Sequence, residues 1–166
     1  MAAVSLTAPD SLGPLGGASI TAGVVDGRAG AAVGGPDTTQ IYVGGDIPTP
    51  IENLSLGVAW DHVNSDGATD TDVVAAYVGY KASEKLGINT RVDYMDQGSV
   101  GGLGAAANGG EYLGTTVTVD YALWENVVTR GEWRWDKDLD GAAFGGVGGS
   151  VRNNNHMFLL NVIYNF

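Results

Sequence analysis

From Leu54 to Val63 the side chains alternate without a break. Leu54, Leu56, Val58 and Trp60 fall on one side of an extended chain, and Ser55, Gly57, Ala59 and Asp61 on the other. Period two over that length identifies a β-strand with one apolar face. The pattern returns from Leu86 to Met95, where Leu86, Ile88, Val92 and Tyr94 oppose Gly87, Asn89, Arg91 and Asp93. It returns again from Val127 to Asp136, where Val127, Thr129, Trp133 and Trp135 oppose Val128, Arg130, Glu132, Arg134 and Asp136. That last strand gathers four charges on one face, which a packed soluble core does not accept, because each charge taken from water needs a partner.

Weaker alternation predicts five more strands: Gly17 to Val25, Thr39 to Ile47, Asp72 to Lys81, Tyr112 to Leu123 and His156 to Phe166. Asp72 to Lys81 reads in either register, and Ala2 to Thr7 is a short ninth candidate. The connections alternate in length. Pro48 to Asn53, Ala82 to Lys85 and Trp124 to Asn126 are tight, whereas Asp26 to Thr38, Val63 to Thr71, Asp96 to Gly110 and Lys137 to Asn155 are long and rich in Gly, Asp and Asn. An antiparallel meander with short turns at one end and long loops at the other is the asymmetry of a bacterial outer-membrane barrel. The expected fold is therefore all-β, an antiparallel up-and-down transmembrane β-barrel occupying residues 1–166 as a single domain.

Composition narrows the alternatives. Eight Lys plus Arg against 19 Asp plus Glu leave a formal net charge of −11, with no basic footprint for nucleic acid. The chain has no cysteine, which removes disulfides, thiolate nucleophiles and cysteine zinc sites. No apolar run approaches the ~20 residues of a membrane-spanning helix. Met1 leads into Ala-Ala-Val rather than a charged and then apolar leader, so no secretory signal is visible, and an exported chain would be a mature or re-cloned one.

Aromatic residues sort with the strand direction. Strands leaving short turns carry Trp60, Tyr94, Trp133 and Trp135 near their far ends, and returning strands carry Tyr80, Tyr121 and Tyr164 near the short turns, with Trp124 in a turn and Phe166 at the terminus. Two aromatic girdles bordering an apolar band are what a membrane barrel requires.

The last strand, from Asn155 to Phe166, resembles the C-terminal signal of bacterial outer-membrane proteins, with Phe158, Leu160, Val162, Tyr164 and Phe166 at alternate positions. That resemblance implies recognition by the barrel-assembly machinery. The hairpin from Ala122 to Asp136, and more loosely the chain from about Val4 onward, resembles β-barrel porins of the OmpL-like porin-2 type. A porin-type channel in the bacterial outer membrane is implied. Such porins are usually much longer, so the chain would then be their C-terminal portion. Strand counting favours eight, with Phe166 ending in the periplasm, and nine or more if the chain is a fragment of a larger barrel.

Alternation assigns Asp46, Asp61, Asn89, Arg91, Asp93, Asp120, Arg130, Glu132, Arg134 and Asp136 to the inward face. In a wide barrel these would line water, and the excess of carboxylates would favour cations weakly. In a packed eight-stranded barrel they would form an internal paired network instead. Replacing Asp93 and Glu132 by their amides is expected to reduce the preference.

Other motifs carry less. Asp136 to Gly141 opens like a calcium-binding EF loop, but Val147 stands where the twelfth-position glutamate belongs. Gly102 to Ala107 fits the loosest dinucleotide fingerprint without a crossover helix, and Asn53-Leu54-Ser55 fits a glycosylation sequon. His62 and His156 fall on the lipid-facing side near outer strand ends; Asp61 and Asp136 are the carboxylates that would have to approach them for catalysis at the rim, but alternation sets neighbours on opposite faces. No catalytic set, cofactor or metal site is expected.

The leading reading is a passive outer-membrane channel for small hydrophilic solutes or ions, in contact with lipid and compatible with homo-oligomers. The alternatives are a closed barrel acting through its loops in adhesion, surface stabilisation or partner binding, a soluble all-β binding protein, and lastly an outer-membrane enzyme working at the rim.

Overall fold

The computed structural model describes residues 1–28, 37–66, 70–98, 109–141, 144–145 and 150–166. Its strands, in chain order, are β1 (Ala2–Thr7), β2 (Ser19–Arg28), β3 (Asp37–Ile47), β4 (Leu54–Ser65), β5 (Asp70–Lys81), β6 (Leu86–Gln97), β7 (Gly110–Trp124), β8 (Val127–Asp138), β9 (Phe144–Gly145), β10 (Val151–Arg152) and β11 (Asn154–Tyr164). Nine of them form one antiparallel sheet in the order β1-β2-β3-β4-β5-β6-β7-β8-β11, and β9 and β10 pair as a small separate hairpin. A single 3₁₀ segment, Asp10–Leu15, joins β1 to β2. No helix among the described residues is long and apolar enough to cross a membrane.

The ninth candidate, Ala2–Thr7, is a strand, paired with β2 from Ala2↔Val24 to Thr7↔Ser19, so of the two strand counts the sequence allows the sheet has the larger, nine, and not the favoured eight. The sheet is not closed, since β1 and β11 each have one neighbour. Successive strands are antiparallel throughout, so the first and ninth run in the same direction, and joining them directly would make a parallel pair.

The tight turns follow from local chemistry. In the β3–β4 turn the Thr49 hydroxyl lies 2.9 Å from the carbonyl oxygens of both Ile51 and Leu54, and Asn53 takes a left-handed φ of 65°, which asparagine tolerates. In the β5–β6 turn Ser83 Oγ accepts from the backbone N–H groups of Lys85 and Leu86 at 3.2 and 3.1 Å. The β7–β8 turn is only Glu125 and Asn126, and Trp124 belongs to the end of β7 beside a register irregularity rather than to the turn. At the opposite end the β4–β5 connection shrinks to 66–69, because Asn64, Ser65, Asp70 and Thr71 continue the ladder. That connection is shorter than the β3–β4 turn, so the length asymmetry rests on the other connections.

Register settles β5. Val74, Ala76, Val78 and Tyr80 lie opposite Trp60, Val58, Leu56 and Leu54, on the apolar face. The packing is not that of a soluble domain. Ala75 is the one buried apolar residue among those described, and the chain exposes 11042 Å², against about 7,700 Å² expected of a soluble monomer of its mass. Leu160, Phe158 and Val162 are 81%, 77% and 69% exposed. A sheet stabilised by its backbone ladder and presenting an apolar face has to cover that face with something other than its own chain, and a contiguous exposed patch of this kind marks an interaction surface.

Candidate functional site

The cross-strand pairing carries one parity of residues across the whole sheet. Asp46 pairs with Gly57, Gly57 with Tyr77, Tyr77 with Arg91, Arg91 with Thr116, and Thr116 with Arg134. All ten residues assigned to the inward face therefore share one side of the sheet, and we call it the polar face. Pairing within it is specific. Arg130 Nε and Nη2 donate to Asp120 Oδ1 and Oδ2 at 2.6 and 3.2 Å, a bidentate contact between β8 and β7. Arg91 Nε donates to Asp93 Oδ1 at 2.8 Å, and Arg134 Nε to both Asp136 oxygens at 2.8 and 3.0 Å, each along its own strand.

The remaining carboxylates take neutral donors. Thr118 Oγ1 donates to Glu132 Oε2 at 3.0 Å, Gln40 Nε2 to the two Asp61 oxygens at 2.9 and 3.1 Å, and Ser19 Oγ to Asp46 Oδ2 at 3.2 Å. No buried side-chain polar atom among the described residues lacks a partner. The polar face thus combines water access with internal satisfaction, as a half-exposed charged surface must.

Its two halves differ. β6, β7 and β8 carry the three arginines and most of the carboxylates. Across β2 to β5 the same face has many small residues, among them Thr21, Gly23, Gly44, Gly57, Ala59, Ala75 and Gly79, beside the larger Gln40, Tyr42 and Tyr77, and its one cation, Lys81, stands at the end of β5. A recess of about 170 Å³ lies where the halves meet, lined by Asp46, Gly57, Tyr77, Gly79, Asn89, Arg91 and Thr118 among others. Glycine has a specific use here. A Cβ placed on Gly114 would meet Asp93 Oδ2 at 2.6 Å and Cγ at 2.9 Å, so the Asp93 carboxylate lies over residue 114. The Tyr42 ring folds in the same way over Gly44. At these two places the side chain rests against the sheet instead of standing out from it.

Some polar-face residues escaped the sequence reading. Asp138, at 6% exposure the one buried polar residue described, continues the parity of Arg134 and Asp136 just beyond the expected strand end. Its Oδ1 accepts from the N–H groups of Asp140 and Gly141 at 2.9 and 3.0 Å, a local Asx-type turn. Asp140 Oδ2 accepts from Glu111 N at 2.9 Å. The three aspartates of the calcium-like motif are therefore each engaged separately, and no group of three or more His, Asp or Glu among the described residues is placed to hold a metal ion. The dinucleotide-like Gly102 to Ala107 lies outside the described residues.

The apolar face carries the rings. Trp60, Tyr80, Tyr94, Tyr121, Trp133, Trp135 and Tyr164 all have the parity of Leu54 and Val58, Trp124 ends β7 opposite Val127, and Phe166 follows β11. Trp60 and Tyr94 flank Val74 in one cross-strand row. The rings are confined to β4 onward; Tyr42, the one aromatic on β1 to β3, points to the polar face. Phe158, Leu160, Val162 and Tyr164 of β11 share the apolar face, opposite Trp133, Gly131, Thr129 and Val127.

Both histidines lie on that face too. His62 stacks on Trp60 with ring centroids 5.9 Å apart, and His156 on Trp133 at 6.0 Å. Neither Asp61 nor Asp136 approaches them, because both carboxylates sit on the opposite face. Asp72 does so instead: its Oδ1 is 3.0 Å from His62 Nδ1 and accepts from Trp60 Nε1 at 3.0 Å. A nucleophile to complete a catalytic set is not among those contacts.

Comparison with known proteins agrees with this two-faced sheet. Residues 37–166 match the family described as "Putative beta-barrel porin-2, OmpL-like". Two solved structures of OmpT, an outer membrane protein of Vibrio cholerae, have the same fold. A loop L8 deletion mutant aligns with TM-score 0.59 and 15% identity over 89% of this chain and 48% of its own. The in-vitro folded protein aligns with TM-score 0.57 and 15% identity over 89% of this chain and 51% of its own. The chain thus spans about half the length of the solved structures it matches. No curated protein matches it significantly.

Proposed function

The chain belongs to the OmpL-like β-barrel porin-2 family and lies in the bacterial outer membrane, and from that premise we propose that it forms the wall of a passive channel for small hydrophilic solutes or ions. The apolar face meets lipid, and the polar face lines water. One observation carries the reading: charged side chains of the polar face lie along the sheet, as Asp93 does over Gly114, so they border an aqueous space without filling it. A closed eight-stranded barrel would need those side chains pointing inward and packed against one another. Nine strands with free edges suit a wider wall. Permeation involves no reaction, so the protein acts as a channel and not as an enzyme.

Six of the assigned carboxylates against three arginines leave the lining net acidic, which supports a weak cation preference. The aromatic residues anchor the wall at both lipid interfaces. β11, an edge strand with one apolar row, offers the assembly machinery a free backbone edge and the side chains Phe158, Leu160, Val162, Tyr164 and Phe166. Homo-oligomers are compatible with this arrangement.

The test is single-channel recording from the full chain, folded in detergent, shown to be folded by heat-modifiable gel mobility and reconstituted in a planar lipid bilayer. Discrete, reproducible current steps are expected. A folded protein that inserts and gives no steps would contradict the channel.

A further inference from the structure

The polar face is crowded with charge on one half and nearly bare on the other. We infer that Asp61 and Asp46, on the sparse half, set its ion preference, and that the dense half, including the Asp93 and Glu132 that the sequence pointed to, contributes little. The inference rests on the channel reading above for its meaning in transport, but the charge distribution itself stands apart from conduction.

On β6 to β8 opposite charges cancel at short range. Each arginine holds an aspartate within 2.8 Å, and Asp93 and Asp136 keep only 13% and 18% of their side-chain surface exposed. Two carboxylates there have no arginine of their own: Glu132 lies on β8 at alternate positions from both Arg130 and Arg134, and Asp138, 6% exposed, is engaged by the N–H groups of Asp140 and Gly141. An ion in the water beyond this half meets closely spaced dipoles, whose field falls off faster than that of a lone charge and is screened further by salt.

Asp61 is different. Among the described residues its oxygens accept from the neutral Gln40 amide, its cross-strand partners are Tyr42 and Val73, and the one cation that β2 to β5 place on the polar face, Lys81, stands at the far end of β5, eight residues along the strand from Val73. Asp46 accepts from the Ser19 hydroxyl and looks across the recess toward Arg91, whose guanidinium is held by Asp93. Asp46 is exposed and Asp61 half-buried, with the small residues Gly57 and Ala59 beside them on β4. A full negative charge on a smooth wall attracts cations more than a larger number of paired charges does.

The absence of cysteine makes a direct probe available. In the folded full chain, Val73→Cys places a thiol beside Asp61, Ser19→Cys one beside Asp46, and Thr116→Cys one between Arg91 and Arg134. Each is reacted with a cationic and an anionic methanethiosulfonate of similar size. Relative to a free thiol, the cation-to-anion rate ratio should rise by roughly three- to tenfold at 73 and 19, and not at 116. Asp61→Asn should abolish the rise at 73, and Asp46→Asn that at 19. Equal ratios at all three positions, or a rise that survives the amide substitutions, would overturn the assignment.

Reversal potentials across a bilayer in a salt gradient supply the second measurement. Asp46→Asn/Asp61→Asn should move the potential toward zero, while the pair deletion Asp120→Asn/Arg130→Gln should leave it unchanged. A shift from the pair deletion as large as that from the two lone carboxylates would also overturn it. Thiol ratios as expected in a protein that passes no current would reject the channel and leave the charge assignment standing.

Discussion

At the scale of single residues, the polar face depends on glycine where a neighbour needs room. Asp93 keeps its contact with Arg91 because its cross-strand partner is Gly114. Gly114→Ala would displace the carboxylate and lose that charge-assisted bond, which on this part-exposed pair is worth about 1 kcal/mol. Urea unfolding in lipid should show that loss, and it should vanish in an Asp93→Ala background; an undiminished cost there would mean that Gly114 serves the backbone instead. None of this could be read from composition, since a glycine with a purpose looks like any other until register brings its neighbour into view. The same applies to His62. Its face was legible from alternation, but its partner Asp72 was not, because β5 reads equally well in two registers and only the pairing with β4 selects one.

At the scale of elements, the middles of the strands were plain in the sequence and their ends were not. β4 and β5 extend through Asn64, Ser65, Asp70 and Thr71, whose polarity reads as loop although the ladder continues through them. A strand that rises past an apolar band changes chemistry before it changes backbone conformation, so hydropathy marks the edge of the band rather than the end of the strand. β1 is faint in the sequence for another reason: Ala2–Thr7 is short, and its pairing with β2 is what makes it a strand. β11 was the most legible element, with Phe158, Leu160, Val162 and Tyr164 in one row. If that row and Phe166 form an assembly signal, Phe166→Asp should lower the amount of folded protein in outer-membrane fractions severalfold while leaving refolding from urea into detergent intact. Loss of both would assign the residue to barrel stability, and loss of neither would remove the signal.

At the scale of the whole molecule, what sorts the chain is the contrast between its two faces. All ten charged or polar residues expected on one side are found there, and the rings expected on the strands of the other side are found on it, because strand parity carries through nine paired strands with one irregularity near Ala122. Closure was not legible, since alternation within strands says nothing about whether the first strand meets the last. The sorting itself can be measured. Single cysteines at successive positions Leu54 to Asp61 on β4, each carrying a nitroxide, would be compared in bilayers for accessibility to oxygen, which concentrates in lipid, and to a water-soluble nickel chelate. The account predicts alternation with period two, oxygen favoured at 54, 56, 58 and 60 and nickel at 55, 57, 59 and 61. Nickel accessibility on both faces, or on neither, would contradict a sheet that separates lipid from water.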